Sequence, residues 1–273
     1  MPYIVTADGT RLHTTDWGSG APVVLVHGWP LDADMWEYQS VFLAEHGCRV
    51  ITYDRRGFGR SSQPWSGYDY DTLADDLATV IEQLDLQGVT LVGFSMGGGE
   101  VARYVARHGT ARLSRAALVS AVTPYLLKAP GNEDGVDRSV FDQMIDGLRS
   151  DRPGFLASFG KKFYGAGLLG SPVGSEILQW SLNLAMLGSP KATLDCVRAF
   201  SETDFRADLK ALTIPTLIIH GDADATVPPA ASAEKTAALV PHAELKLYGG
   251  APHGLMVTEK DRLNADLLAY IRK

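Results

Sequence analysis

Val89-Thr90-Leu91-Val92-Gly93-Phe94-Ser95-Met96-Gly97-Gly98-Gly99-Glu100 is the stretch on which the reading of this chain turns. A short apolar, β-branched-rich run leads into Gly93-Phe94-Ser95-Met96-Gly97, and a helical pattern then continues from Met96 to about His108. Serine between two glycines, at a turn from strand to helix, has a physical purpose. The sharp turn exposes the hydroxyl, and the glycines let neighbouring backbone come close. The N-terminus of the following helix aims amide N–H groups at developing negative charge. The five-residue pattern alone is weak in a chain with 28 glycines, where a surface serine in a glycine-rich turn also fits it. The rest of the chain must supply the context.

Working outward, Tyr3 to Thr6 and Leu12 to Trp17 read as a hairpin around the turn dipeptide Asp8-Gly9. Val23 to Val26, Val50 to Tyr53, Val89 to Phe94 and Ala116 to Val119 are continuous apolar runs. Runs of this kind suit strands buried on both faces of a parallel sheet. Thr216 to His220 and Glu244 to Tyr248 add two later strands. Between the strands, Thr72 to Leu86 has Leu73, Leu77, Val80, Ile81 and Leu84 on one helical face, with Thr72 and Asp75 resembling a capping box. Amphipathic helices also fit Ala231 to Leu239 and Lys260 to Ile271. The alternation predicts an α/β fold, a doubly wound and mostly parallel sheet with right-handed crossovers. Residues 123–202 break the rhythm with glycine and proline punctuation, helical spacing and no clear strand. They are expected to form a helical cap inserted into a core made of residues 1–122 and 203–273.

A serine nucleophile needs a base, and the base needs an orienting acid. In hydrolases built on this strand-turn-helix motif the chain order is nucleophile, acid, histidine. Of seven histidines, His13, His46 and His108 are expected at the surface, His27 and His220 end apolar strands as near-core residues, and His242 precedes a strand. His253, in the loop Gly249-Gly250-Ala251-Pro252-His253-Gly254 after the last strand, is the expected base. The acid should follow Thr216 to His220, where Gly221-Asp222-Ala223-Asp224 offers two aspartates that position alone does not separate. Both also suit a turn, where an aspartate side chain bonds local backbone. Two N–H donors should form the oxyanion hole. These are the amide of Met96, next to the nucleophile, and the amide of Trp29 in the loop His27-Gly28-Trp29-Pro30.

These motifs, together with Tyr53-Asp54-Arg55-Arg56-Gly57-Phe58-Gly59-Arg60-Ser61-Ser62, resemble the bacterial cofactor-free haloperoxidases. That group, also called non-heme chloroperoxidases, is close to aryl esterases and some γ-lactamases within the α/β-hydrolases. The resemblance spans nearly the whole chain and is loosest in the helical insertion. It implies an α/β-hydrolase fold with a sheet of about eight strands and a helical cap. It also implies that the second aspartate, Asp224, is the acid that completes a triad with Ser95 and His253. The Arg55-Arg56-Gly57-Phe58-Gly59 turn is read as structural, packing near the oxyanion loop. The reaction implied is acylation of Ser95 by an ester or acid, with release of a carboxylic acid by water or of a peracid by hydrogen peroxide. The peracid then oxidises halide in solution. No heme, flavin or metal is implied. Perhydrolase-leaning members carry proline at the position of Pro30, which would fix where the Trp29 carbonyl points.

Phe155, Phe159 and Phe163 recur every four residues, on one helix face. Cap core is one reading of that stripe. The other is that Phe159 and Phe163 line an apolar acyl pocket with Trp29, Pro30, Val122 and Val227, as suits a substrate site. The expected partners are a small ester, carboxylic acid or lactam, with peroxide and halide in the perhydrolytic branch. A net charge of −7 counts against nucleic acid and anionic membrane. No metal-ligand spacing appears. MPYIVTADGT has no basic segment before an apolar run, and Cys48 and Cys196 form no disulfide framework, so a cytoplasmic protein is expected. Whether it forms a homo-oligomer stays open. The alternatives kept are a plain carboxylesterase or γ-lactamase without physiological perhydrolysis, and a non-catalytic binding protein on the same fold. Serine at position 95 counts against a dehalogenase or epoxide hydrolase, which would need aspartate there.

Overall fold

The computed structural model describes residues 3–167 and 170–273; Met1, Pro2, Leu168 and Leu169, the last two within the expected insertion, lie outside them. The chain opens with β1 (Tyr3–Val5), β2 (Arg11–Gly18) and β3 (Ala21–Val26), then α1 (Glu37–Glu45) and β4 (Cys48–Tyr53). It continues through α2 (Tyr70–Gln83), β5 (Val89–Phe94), α3 (Met96–His108) and β6 (Leu113–Val119). Four helices follow: α4 (Arg138–Ser150), α5 (Arg152–Phe163), α6 (Ser175–Leu187) and α7 (Pro190–Glu202). The last part holds β7 (Thr216–Gly221), α8 (Ala233–Leu239), β8 (Glu244–Tyr248), α9 (Leu255–Thr258) and α10 (Lys260–Ile271).

The eight strands form one sheet in the order β1-β2-β4-β3-β5-β6-β7-β8. Among the described strands of this sheet, the two pairings made by β2 are antiparallel, and β4, β3, β5, β6, β7 and β8 are successive parallel neighbours. Every residue of β5 and β7 is buried. A strand buried at all positions must be covered on both faces, which is why these strands read as unbroken apolar runs. The hairpin, the mostly parallel sheet and the flanking helices follow the expected α/β-hydrolase pattern.

Two local expectations change, and one helix was not expected. The helix expected from Thr72 begins at Tyr70, and its N-cap is Asp69, whose carboxylate accepts from Thr72 N at 3.0 Å. The Thr72 and Asp75 capping box is therefore not formed. The expected Ala231–Leu239 helix is divided into a 3-10 turn over Pro229–Ala231 and α8, because Ser232 leaves helical backbone between them. Helix α1 was not legible, since its apolar residues do not gather into a stripe.

Candidate active site

Four loops leave the C-terminal ends of β3, β5, β7 and β8, and the candidate residues sit on them. This is the edge where an open parallel sheet leaves a crevice. Ser95 stands between β5 and α3 with φ 53° and ψ −116°. A non-glycine residue there is strained, and the surrounding packing must hold it. The turn is close enough that a Cβ at Gly93 would strike the Gly97 carbonyl, and one at Gly97 would strike the Val26 and His27 carbonyls of the facing loop. Glycine at both positions lets the Ser95 turn nest against the loop that carries Trp29.

The structure brings Ser95, His253 and Asp224 into one hydrogen-bonded line. Ser95 Oγ donates to His253 Nε2 at 3.0 Å, and His253 Nδ1 donates to Asp224 Oδ2 at 2.6 Å. All three are buried. The other carboxylate oxygen of Asp224 accepts from Thr226 N and Val227 N, both at 2.8 Å. Burial works to raise the Asp224 pKa, but His253 and His220 outweigh it and hold the carboxyl below the usual carboxylate range. Asp222 instead faces the loop after β8, where it accepts from Gly250 N at 2.6 Å. The rings of Phe94 and Phe163 pack on the His253 imidazole at centroid distances of 5.0 and 4.9 Å. They fix its plane.

His220 is a neighbour that the sequence did not single out. Its Nε2 lies 2.8 Å from the Val227 carbonyl and 3.2 Å from Asp224 Oδ2. Facing two acceptors, that nitrogen carries the proton. His220 therefore braces both the acid and the loop beyond it. An imidazole that ends an apolar strand carries no sequence mark that separates this role from plain core packing.

The backbone N–H groups of Met96 and Trp29 donate to no acceptor among the described residues. They are available to an oxyanion beside Ser95. The Trp29 loop is tied down from three sides. Trp29 Nε1 donates to Thr193 O at 3.0 Å, Arg55 Nη2 donates to His27 O at 2.8 Å, and Arg55 N donates to His27 Nε2 at 2.9 Å. His27 Nδ1 in turn donates to Gly28 O at 3.0 Å. Burial and then the Arg55 charge push the His27 pKa down to about 3, so the imidazole stays neutral and keeps this tautomer. The arginine turn thus lies directly against the loop that carries Trp29.

A cavity of about 410 Å³ ends on Ser95 and His253. Trp29, Val122, Phe159 and Val227 line it. Pro30 and Phe163 do not; they line a much smaller space behind Phe159, with Tyr164. Helical pitch turns Phe163 away from the cavity. Steps of four precess by about 40° each, so Phe163 has turned about 80° from Phe155, whereas Lys162 is offset by only about 20°. Phe155, Ser158, Phe159 and Lys162 are the α5 residues that face the cavity. Leu126, Phe141 and Phe200 also line it and carried no motif that would reveal them. Among the described residues no cluster of three or more His, Cys, Asp or Glu is placed to hold a metal ion.

The sequence pattern of the α/β-hydrolase fold family matches residues 21–260. The chain is 45% identical over 277 residues to the non-heme chloroperoxidase CPO-A1 of Kitasatospora aureofaciens, covering 100% of both chains. This chain belongs to the non-heme haloperoxidase branch of the α/β-hydrolase fold family. It is an enzyme of the hydrolase class. The same α/β-hydrolase is 43% identical to the bifunctional esterase/perhydrolase DCH of Acinetobacter calcoaceticus over 275 residues, again covering 100% of each. Among solved structures, the bromoperoxidase of Bacillus anthracis superposes with a TM-score of 0.94 at 49% identity, over 97% of this chain and 96% of that one. No helix of the described residues is long and apolar enough to cross a membrane.

Proposed function

We propose that this α/β-hydrolase cleaves small carboxylic esters through an acyl-enzyme on Ser95, and that hydrogen peroxide competes with water for the acyl group. The observation that carries the reading is the Ser95–His253–Asp224 line at the closed end of an apolar cavity. Ser95 Oγ attacks the ester carbonyl carbon while His253 Nε2 takes its proton. Asp224 holds the imidazole and stabilises the imidazolium that forms. The oxyanion is met by the N–H groups of Met96 and Trp29. Collapse expels the alcohol, which takes the proton from His253. Water or peroxide then attacks the acyl carbon as His253 accepts its proton, and Ser95 recovers a proton as the acid or peracid leaves. A peracid that reaches solution oxidises halide there, so halide needs no binding site. The names of the relatives, chloroperoxidase and esterase/perhydrolase, support this pair of outcomes. A cytoplasmic, reducing setting suits the two buried free thiols, Cys48 and Cys196.

The test is an assay of p-nitrophenyl acetate with and without peroxide, followed by bromination of monochlorodimedone, alongside labelling with a fluorophosphonate. Ester cleavage, peroxide-dependent bromination and a label on Ser95 are expected, all lost in Ser95→Ala. Absence of label on Ser95 would reject the acyl-enzyme; cleavage without bromination would leave a plain esterase.

A further inference from the structure

Among the described residues, the cavity that ends on Ser95 has no carboxylate on its wall, and its one permanently charged lining residue is Lys162. The chain as a whole is acidic, with 32 Asp and Glu against 25 Lys and Arg. The cavity therefore reverses the sign of the molecule around it. Lys191, Lys235, Lys246 and Lys273 each sit within 4 Å of an Asp or Glu carboxylate. Lys162, like Lys128, Lys161, Lys210 and Lys260, has no such partner among the described residues; what sets it apart is that α5 turns this exposed side chain to the cavity face together with Phe155 and Phe159. Besides Ser95 and His253, the uncharged polar side chains on the wall among the described residues are those of Gln143, Ser158 and Thr226. Ser158 lies one helical turn before Lys162, so the two are neighbours on the surface of α5.

We propose that Lys162 is a specificity-determining residue and that the preferred substrates are anionic half-esters. In such a substrate the scissile carbonyl lies at Ser95, an alkyl chain lies along the apolar wall, and a carboxylate at its far end pairs with the Lys162 ammonium. Ser158 and Gln143 are the hydrogen-bond donors at hand for the second carboxylate oxygen. An apolar wall by itself discriminates weakly between chains of similar length. A single fixed charge supplies the selection that the wall lacks, and it also draws an anion toward a protein whose net charge repels it. The competing description gives Lys162 only an aliphatic stem that covers apolar surface while its head stays in water. That description predicts no preference for the anion.

The inference rests on ester hydrolysis at Ser95, and the test separates the two. The measured quantity is the ratio of kcat/KM for p-nitrophenyl hydrogen adipate to that for p-nitrophenyl hexanoate. These esters share a six-carbon acyl chain and differ in the terminal carboxylate. In Lys162→Met the ratio is expected to fall about fivefold, as suits one partly solvated ion pair. In Lys162→Glu it should fall further, and in Lys162→Arg it should be retained. Raising salt from about 0.02 M to about 0.5 M should lower the wild-type ratio, because the pair is open to screening. A ratio unchanged in both Lys162→Met and Lys162→Glu would overturn the proposal. If neither ester is cleaved, the reading of Ser95 fails instead. The charge at Lys162 is then tested by calorimetric titration with adipate and hexanoate. Tighter adipate binding by the wild type than by Lys162→Glu supports it, and equal affinities overturn it.

Discussion

Arg55 Nε donates to the Glu100 carboxylate at 2.7 Å, and neither side chain has any exposure to solvent. The pair joins two elements that must stay in register for the proposed chemistry. Glu100 lies on α3, five residues beyond Ser95, and Arg55 also donates to the His27 carbonyl of the Trp29 loop. Tyr53 donates to the other oxygen of Glu100, so the buried carboxylate is engaged from both sides. Removing one partner of such a pair strands the other as an uncompensated buried charge. Arg55→Met is expected to lower stability by about 3–5 kcal/mol. Arg55→Met combined with Glu100→Gln should cost clearly less than the sum of the two single changes, since Gln removes the stranded charge and still accepts from Tyr53. Urea unfolding of the four proteins in a double-mutant cycle measures this. Additive losses would show that the pair is not coupled.

The two aspartates of the β7 loop differ in what they face. Asp224 receives His253 Nδ1–H, while Asp222 receives only Gly250 N–H. Asp224→Asn presents an amide where the imidazole needs an acceptor and so disfavours the productive tautomer; kcat for p-nitrophenyl acetate should fall on the order of 10³- to 10⁴-fold. Asp222→Asn keeps a side-chain oxygen for Gly250 N–H, and its kcat should stay within about threefold of wild type. Stopped-time assays of both variants decide the matter, and equal losses would contradict the assignment of Asp224 as the acid.

That contrast also marks how far the sequence reached. Strands such as β5 and β7 were legible because burial on both faces makes them continuous apolar runs. Ser95 and His253 were legible because each lies at a strand end in a fixed chain order. Asp222 and Asp224 stand two residues apart in one turn, so position could not separate them; only the resemblance did, and the structure distinguishes them by the direction of each side chain. His220 and Lys162 escaped for another reason. What they touch is set by the packing of loops and helices far apart in sequence, and a single spacing rule cannot report that.

Asp32 gives a pH prediction of opposite sign to a stabilising carboxylate. It is buried, one of its oxygens accepts from Asp34 N at 3.0 Å, and the other has no partner. Burial, and then the nearby Asp54 and Asp34 carboxylates, push its pKa up to about 7. The unfolded chain loses this proton near pH 4, so between about pH 4 and 7 the native state holds a proton that the unfolded state has released. Stability contributed by Asp32 therefore falls as pH rises through that window. Asn at this position still caps Asp34 N but cannot ionise. The unfolding free energy of Asp32→Asn should gain on wild type by about 1 kcal/mol per pH unit between pH 5 and 6.5. Parallel stability curves for the two proteins, from denaturant melts across that range, would show that the carboxyl is not held protonated.

Pro30 does not line the cavity that ends on Ser95, so any effect it has on the proposed reaction must pass through Trp29. No donor among the described residues reaches the Trp29 carbonyl. That carbonyl is therefore available to accept a hydrogen bond from a second hydroxyl. Hydrogen peroxide attacking the acyl-enzyme has one, since one O–H passes its proton to His253 while the other remains. Water held in the same attack orientation gains less from a second acceptor, because its remaining hydrogen lies on the attacking oxygen itself. Proline restricts the residue before it, and Leu releases that restriction. Pro30→Leu should lower the ratio of perhydrolysis to hydrolysis severalfold, chiefly through the perhydrolytic rate. Peracid formed from a methyl ester in peroxide, set against acid released without it, gives the ratio for each protein. An unchanged ratio in a folded Pro30→Leu variant would remove the Trp29 carbonyl from the partition between the two acceptors.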